Sequence, residues 1–179
     1  MFSVRKATEQ DIELIHKLAG VVFPVTYQTI LSPEQCAYML DWMYSPANIY
    51  KQMNEGHVYL MLSKNGIECG YASIEWPEAD LFHLQKIYVL PEFQGCRAGR
   101  FLFEEIVKYI SSIHPKTPCI MELNVNRQNP AVQFYKHMGM IIDRQGDFPI
   151  GHGFYMNDYI MRLEIVPVVK SLPRESYDV

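Results

Sequence analysis

Leu90-Pro91-Glu92-Phe93-Gln94-Gly95-Cys96-Arg97-Ala98-Gly99-Arg100-Phe101-Leu102-Phe103-Glu104-Glu105-Ile106 is the stretch that decides the fold of this 179-residue chain. It joins a strand-like run, Leu84–Leu90, to a helix-like run ending near Ile113. The joint carries Gly95, Gly99 and two arginines, Arg97 and Arg100. A glycine turn that opens a helix leaves its first backbone N–H groups without intrahelical partners. Those donors and the positive end of the helix dipole form a site for phosphate. The two guanidiniums can add charge-assisted contacts. An ordinary strand-to-helix turn has the same local pattern, so the stretch alone leaves both readings open.

The surrounding chain organises around this joint. Phe2–Ala7 reads as a short strand, and Thr8 with Asp11 marks the helix start that follows. Ile12, Ile15, His16 and Ala19 recur at helical spacing, and Phe23-Pro24-Val25-Thr26-Tyr27 is expected to break that helix. Ser32-Pro33 and Ser45-Pro46 each announce a further helix. From His57 the period changes. His57–Ser63 and Glu68–Glu75 flank Asn65-Gly66, a strong hairpin signal, and Leu81–Leu90 is a third strand.

Beyond the joint, Leu102, Phe103, Ile106, Val107 and Ile110 share one helix face, which His114-Pro115 ends. Cys119, Met121, Leu123 and Val125 alternate with polar residues as in a half-buried strand. Asn129-Pro130 opens a helix to about Met138, with Gly139 as its C-terminal cap. Ile141–Asp143 and Phe154–Glu164 read as closing strands joined by Gly146–Gly153, and 165–179 as a tail. The fold class is therefore α/β (α+β): a mixed, largely antiparallel sheet of six to seven strands with helices on both faces. Residues 1–164 are read as one domain.

Composition narrows the function classes. An apolar share of 49% with 20% charged residues marks a globular chain rather than a disordered one. No window approaches 18 uncharged apolar residues, so no membrane span is expected. Met1–Gln10 lacks the apolar core of a signal peptide, so the expected location is cytoplasmic. Cys36, Cys69, Cys96 and Cys119 show no paired metal spacing, and reduced thiols with no metal are expected. The net charge of −4 is uneven: Met1–Asp80 holds ten acidic and five basic residues, Lys86–Arg144 five acidic and eight basic. That split suits an anionic ligand at the glycine turn and a cationic one elsewhere. No basic stripe interleaved with aromatics suggests nucleic acid.

Two motifs together resemble the GCN5-related N-acetyltransferase (GNAT) family, over Phe2 to about Leu163. The family's Gln/Arg-x-x-Gly-x-Gly/Ala turn is similar to Gln94-Gly95-Cys96-Arg97-Ala98-Gly99. Its Asn-x-x-Ala-x-x-Phe-Tyr-x-x-x-Gly-Phe segment is similar to Asn126–Met140, with Asn129, Ala131, Phe134, Tyr135 and Gly139 within it. The resemblance implies acetyl-coenzyme A as cosubstrate and a primary amine as acceptor. It implies that main-chain amides of Gln94, Gly95, Cys96, Arg97, Ala98, Gly99 and Arg100 hold the pyrophosphate. It also implies that Ile87, Tyr88 and Val89 hold the pantetheine arm, with Asn129 in reach of the cosubstrate and Tyr135 as general acid at the sulfur. Phe23–Tyr27 and Phe154-Tyr155-Met156 resemble a bacterial branch related to spermidine and spermine acetyltransferases, which suggests a polyamine acceptor.

One departure stands inside the turn, where Arg97 occupies a family glycine position. If Arg97 already lies in the first helical turn, its φ is negative, its side chain fits without backbone strain and it can grip a phosphate; the alternative reading is that the side chain blocks the pyrophosphate.

The chemistry sets further requirements. A free alkylamine with a lysine-like pKa is neutral in only about one molecule in 2,500 at pH 7, so a general base is required. Glu75, at a strand end beside Trp76–Asp80, and His83 are the candidates; Gln85, where the family often has an acid, cannot titrate. Val89 N–H is the expected oxyanion donor. Tyr27 is read as lining the acceptor pocket. A protein or peptide acceptor, and a non-catalytic coenzyme A-binding role, remain as alternatives. A homodimer through the closing strands and tail is a further expectation.

Overall fold

The computed structural model describes residues 1–167. The chain runs β1 (Phe2–Lys6), α1 (Ile12–Tyr27), α2 (Pro33–Tyr44), α3 (Pro46–Asn54), β2 (Val58–Lys64), β3 (Ile67–Glu78) and β4 (Leu81–Val89). It continues through α4 (Ala98–Ile113), β5 (Cys119–Asn126), α5 (Ala131–His137), β6 (Ile141–Gly151) and β7 (Phe154–Ile165). Seven strands form one sheet in the order β1-β2-β3-β4-β5-β7-β6. Every neighbouring pair is antiparallel except β4 with β5, which the α4 crossover makes parallel.

Each face of the sheet has its own core. On one face α4 sets Leu102, Phe103, Ile106 and Ile110 against Ala72, Phe82, Leu84, Met121 and Leu123, and α5 adds Val132 and Tyr135. On the other, Ile15, Phe23, Tyr44 and Ile49 from α1–α3 pack on Tyr59, Met61 and Tyr71. Each fully buried side chain of this kind contributes about 1.5–3 kcal/mol, which is what holds helices to both faces.

Three local expectations change. Pro24 lies inside α1, which continues to Tyr27 rather than breaking at Phe23. Proline removes one N–H from the ladder, and the Thr26 hydroxyl donates to the Val22 carbonyl at 2.7 Å in the same turn. This last turn carries Val25, Thr26 and Tyr27 toward the centre of the sheet. The stretch read as the Gly146–Gly153 connection is mostly strand, because β6 pairs with β7 from Ile141 to Gly151. Ile165 still pairs with Cys119, so the tail begins later than expected; 168–179 lie outside the described residues.

Two irregularities position the site. Ser73 pairs with Lys86 but Ile74 pairs with Leu84, which leaves Gln85 as a bulge residue in β4. Beside it, β4 and β5 pair only over Leu81–His83 and Ile120–Glu122. Past that rung the two strands part.

Candidate active site

The parted strands open a cleft of about 720 Å³. Leu84–Val89 forms one wall and Leu123–Val125 the other; the turn before α4, the start of α5 and the end of α1 close its ends. A parallel strand pair that parts along its length exposes main-chain donors and acceptors that would otherwise pair. Leu90 N–H donates to Cys69 O at 2.8 Å, so one residue earlier the Val89 amide points the opposite way, toward the parted edge. The Val89 carbonyl on that edge accepts from Gln94 Nε2 at 3.0 Å, and the Val89 N–H faces away from Gly70, its β3 register partner, on the side where β5 pairs no further than His83.

At one end of the cleft lies the glycine turn. A 3₁₀ turn over Pro91–Phe93 leads into Gly95 at φ 75° and Arg97 at φ 68°, and α4 begins at Ala98. Among the described residues the six consecutive backbone N–H groups of Gly95–Arg100 donate to no acceptor. Such a run of unpaired amides at a helix start is the physical requirement for an anion cradle. Gly99 faces Phe134, whose ring would lie 3.8 Å from any added Cβ.

Arg97 corrects an expectation. It is not in the first helical turn with negative φ but is the left-handed residue that caps α4. The chain must reverse there to enter the helix, and a non-glycine residue at positive φ is strained. Its side chain is exposed, lines the cleft and has no ion pair among the described residues. Arg100, by contrast, is engaged by Glu104 at 2.8 Å. Cys96 does not line the cleft; its Sγ donates to Phe93 O at 2.9 Å.

The opposite end is aromatic and polar. Asn129 Oδ1 accepts from Ala131 N–H at 2.9 Å and so caps α5, which starts one residue after Pro130. One helical turn on, Tyr135 is buried and lines the cleft. Burial pushes its phenol pKa above the ordinary value, which keeps the proton on oxygen. The Tyr27 hydroxyl lies 3.4 Å from the Tyr88 hydroxyl, and burial raises the pKa of both.

Glu75 and His83 are brought together, because they are register partners on β3 and β4, but neither lines the cleft. They precede the point where the strands part. Gln85 Nε2 donates to Glu75 Oε2 at 2.6 Å, and His57 Nε2 lies 3.9 Å from the same oxygen. His83 Nδ1 is 3.4 Å from Glu122 Oε1, and burial, partly offset by that carboxylate, lowers its pKa.

Sequence reading missed three residues. Lys86 is buried with Nζ donating to Gln52 Oε1 at 2.7 Å and standing over the Tyr44 and Tyr59 rings; burial lowers its pKa to about 8. Asn124, on the β5 wall, donates to Asp158 Oδ2 at 3.3 Å. Asp158 itself is 1% exposed. Its signal was in the alternation Met156, Asp158, Ile160, which sets a carboxylate on the same strand face as two apolar residues.

A family model described as an acetyltransferase (GNAT) domain matches residues 28–147. No curated protein matches the sequence closely enough to count as a relative. Among solved structures, the chain is similar to the PaiA N-acetyltransferase of Thermoplasma acidophilum, solved in complex with coenzyme A. The TM-score is 0.74 at 21% identity, covering 90% of this chain and 98% of that one. It is also similar to the ribosomal-protein-S18-alanine N-acetyltransferase of Escherichia coli, with TM-score 0.70 and 18% identity over 96% and 99% of the two chains. Mutant forms of the spermidine/spermine N-acetyltransferase of Vibrio cholerae give TM-score 0.63 and 18% identity over 92% and 95%. At these identities the likeness is one of fold.

Proposed function

Since the chain belongs to the GNAT acetyltransferase family, we propose that it moves an acetyl group from acetyl-coenzyme A to a primary amine by direct attack in a ternary complex. One observation carries this reading: the run of unpaired amides Gly95–Arg100 and the parted edge of β4 open into a single cleft with Tyr135. A long, flexible cosubstrate with an anionic end and an amide-bearing arm fits that order of groups. The amides of Gly95–Arg100, with Arg97, would hold the pyrophosphate. Main-chain groups of Ile87, Tyr88 and Val89 would hold the arm by adding to the free strand edge. Bound there, acetyl-coenzyme A supplies an activated acetyl thioester.

The remaining work falls to the chain. Val89 N–H is aimed at the parted edge, where it can meet the carbonyl oxygen as charge builds. Tyr135 keeps its proton at neutral pH and can deliver it to the departing sulfur. Overall a C–N bond forms, a C–S bond breaks and an ammonium acceptor releases one proton to solvent. Tyr27 forms part of the acceptor wall.

For the acceptor we favour a small polyamine. The support is the likeness of Phe23–Tyr27 and Phe154–Met156 to the spermidine and spermine branch, with the acidic balance of Met1–Asp80. The test is acetylation of an amine panel, with spermidine and an alanine-initiated peptide as two arms, read as free thiol released from acetyl-coenzyme A. Release with spermidine is expected. Release with the peptide alone moves the acceptor to a protein N-terminus, and release with neither removes the acetyl-transfer reading.

A further inference from the structure

A second, smaller cavity lies behind the acceptor wall. It is lined by Tyr27, Leu31, Met39, Asn124, Asn126, Met156 and Asp158, and its volume is about 20 Å³. Tyr27 and Asn124 line both this cavity and the main cleft, so the two are neighbours across those side chains. The space suits one water, and four of its seven lining residues, Tyr27, Asn124, Asn126 and Asp158, carry polar side chains.

Asp158 is the unusual member. It is 1% exposed and in the middle of β7, opposite Asn126 on β5 and Gly146 on β6. Its Oδ2 accepts one hydrogen bond, from Asn124, and among the described residues Oδ1 has no donor and neither oxygen has an ion-pair partner. Among the described residues, the elements packed around it bring no unengaged cation to it. From α1 comes Tyr27, a phenol; Leu31 of the α1–α2 turn and Met39 of α2 are apolar; β5 offers only the amides Asn124 and Asn126. Arg127 lies just beyond β5, but Asp147 of β6 holds its guanidinium. A buried carboxylate without a cation is costly in a merely structural role. Groups of this kind gather at functional sites.

Resting on the acetyl-transfer reading above, we propose that Asp158 accepts the proton of the incoming ammonium through a single water held between Tyr27 and Asn124. The N–H bond of the ammonium breaks and its electron pair stays on nitrogen. The proton passes to the water as the water gives one of its own to Oδ1 of Asp158, which later returns a proton to solvent. The neutral amine left in the cleft is the nucleophile. Glu75 and His83 lie outside the cleft and are not needed for this step. Burial raises the Asp158 pKa to about 6, against a weaker opposing pull from Asn124 and Arg127, which suits a base working near neutrality.

The test compares wild type, Asp158→Asn and Asn124→Leu. Wild-type kcat should rise with pH through a limb near 6. Asp158→Asn should lower kcat at least about a hundredfold, flatten that limb, and leave the calorimetric Kd for acetyl-coenzyme A within a few-fold. Asn124→Leu, which removes a donor from the carboxylate, should move the limb to higher pH. A readout free of turnover is carbon-13 NMR of carboxyl-labelled aspartate, where the resonance lost in Asp158→Asn should titrate near 6. Should that variant fail to fold, the Asn124→Leu limb decides, together with the carboxyl resonance that titrates near 6 in wild type and at higher pH in Asn124→Leu. Unchanged kcat or an unchanged limb in Asp158→Asn, or titration in the ordinary aspartate range, overturns the role given to Asp158 alone. A wild-type chain that binds acetyl-coenzyme A but acetylates neither spermidine nor the peptide overturns the acetyl-transfer reading, and this role with it.

Discussion

His83 and Glu122 face each other across the last rung at which β4 and β5 are paired, with Nδ1 and Oε1 3.4 Å apart. Arg144 of β6 reaches the other oxygen of Glu122 at 3.2 Å. This polar knot sits where the sheet stops being continuous. Beyond it the two strands give their main-chain groups to the cleft instead of to each other, so Glu122 helps fix where the site begins.

Replacing Glu122 by Ala should therefore cost more than a surface ion pair. It is only 9% exposed and accepts from two partners. A loss of about 1–3 kcal/mol is expected from denaturant unfolding, since His83 would be left buried without its acceptor. A midpoint unchanged from wild type would show that apolar packing alone fixes the rung.

Tyr135→Phe keeps the ring in its pocket and removes the proton. Turnover should fall about 10²- to 10⁴-fold, with acetyl-coenzyme A affinity within a few-fold by calorimetry. Weakened binding with unchanged turnover would mean that Tyr135 is a wall and not an acid.

Arg97→Gly separates backbone strain from charge. Arg97 holds φ 68°, and glycine accepts that conformation freely, so the variant should gain up to about 1 kcal/mol in stability. Coenzyme A binding should weaken about tenfold as one charge-assisted contact is lost. Tighter binding would instead identify the guanidinium as an obstruction.

Gly70 pairs with Val89, and a Cβ there would lie 2.6 Å from the Tyr88 carbonyl oxygen. That neighbour is backbone and cannot swing aside. Gly70→Ala should cost about 1–3 kcal/mol and displace the Val89 amide, lowering kcat along with the denaturation midpoint. A variant with wild-type stability and turnover would show that the strand edge yields without consequence.

Asp158 also predicts a pH dependence of stability. Its native pKa is raised to about 6 from an ordinary 3.8, so between those values the folded chain binds more protons than the unfolded one. Its contribution is favourable below about 4 and is lost as pH rises through 6. At pH 7 the cost is roughly 3 kcal/mol at most. Asp158→Asn should be more stable than wild type at pH 7, with the difference shrinking toward pH 4 in chemical denaturation. A difference that does not change with pH would place the carboxyl in an ordinary environment.

Much of the frame was legible before the tertiary structure. Cys119–Asn126 alternates with period two and is a strand over those residues. Ser32 caps α2 with proline at its first position, and Asn65-Gly66 turns the β2–β3 hairpin at positive φ. These signals are local: the residues that make the pattern are the residues that form the element. The joint at Leu90–Ile106 belongs to the same kind.

What the sequence by itself determined is the order of strands and helices and the glycine turn that opens α4, together with the motifs that carry the family resemblance. The tertiary structure alone decided that α1 runs through Pro24 and brings Tyr27 to the cleft, that Arg97 is left-handed, and that β4 and β5 part after His83 and Glu122. It also decided that Asp158 is buried beside Asn124. The reason is range. Periodicity and turn chemistry arise between neighbours in the chain. A strand that parts from its neighbour, or a carboxylate stripped of water, is made by contacts among segments such as Tyr27, Asn124 and Asp158 that lie far apart in sequence.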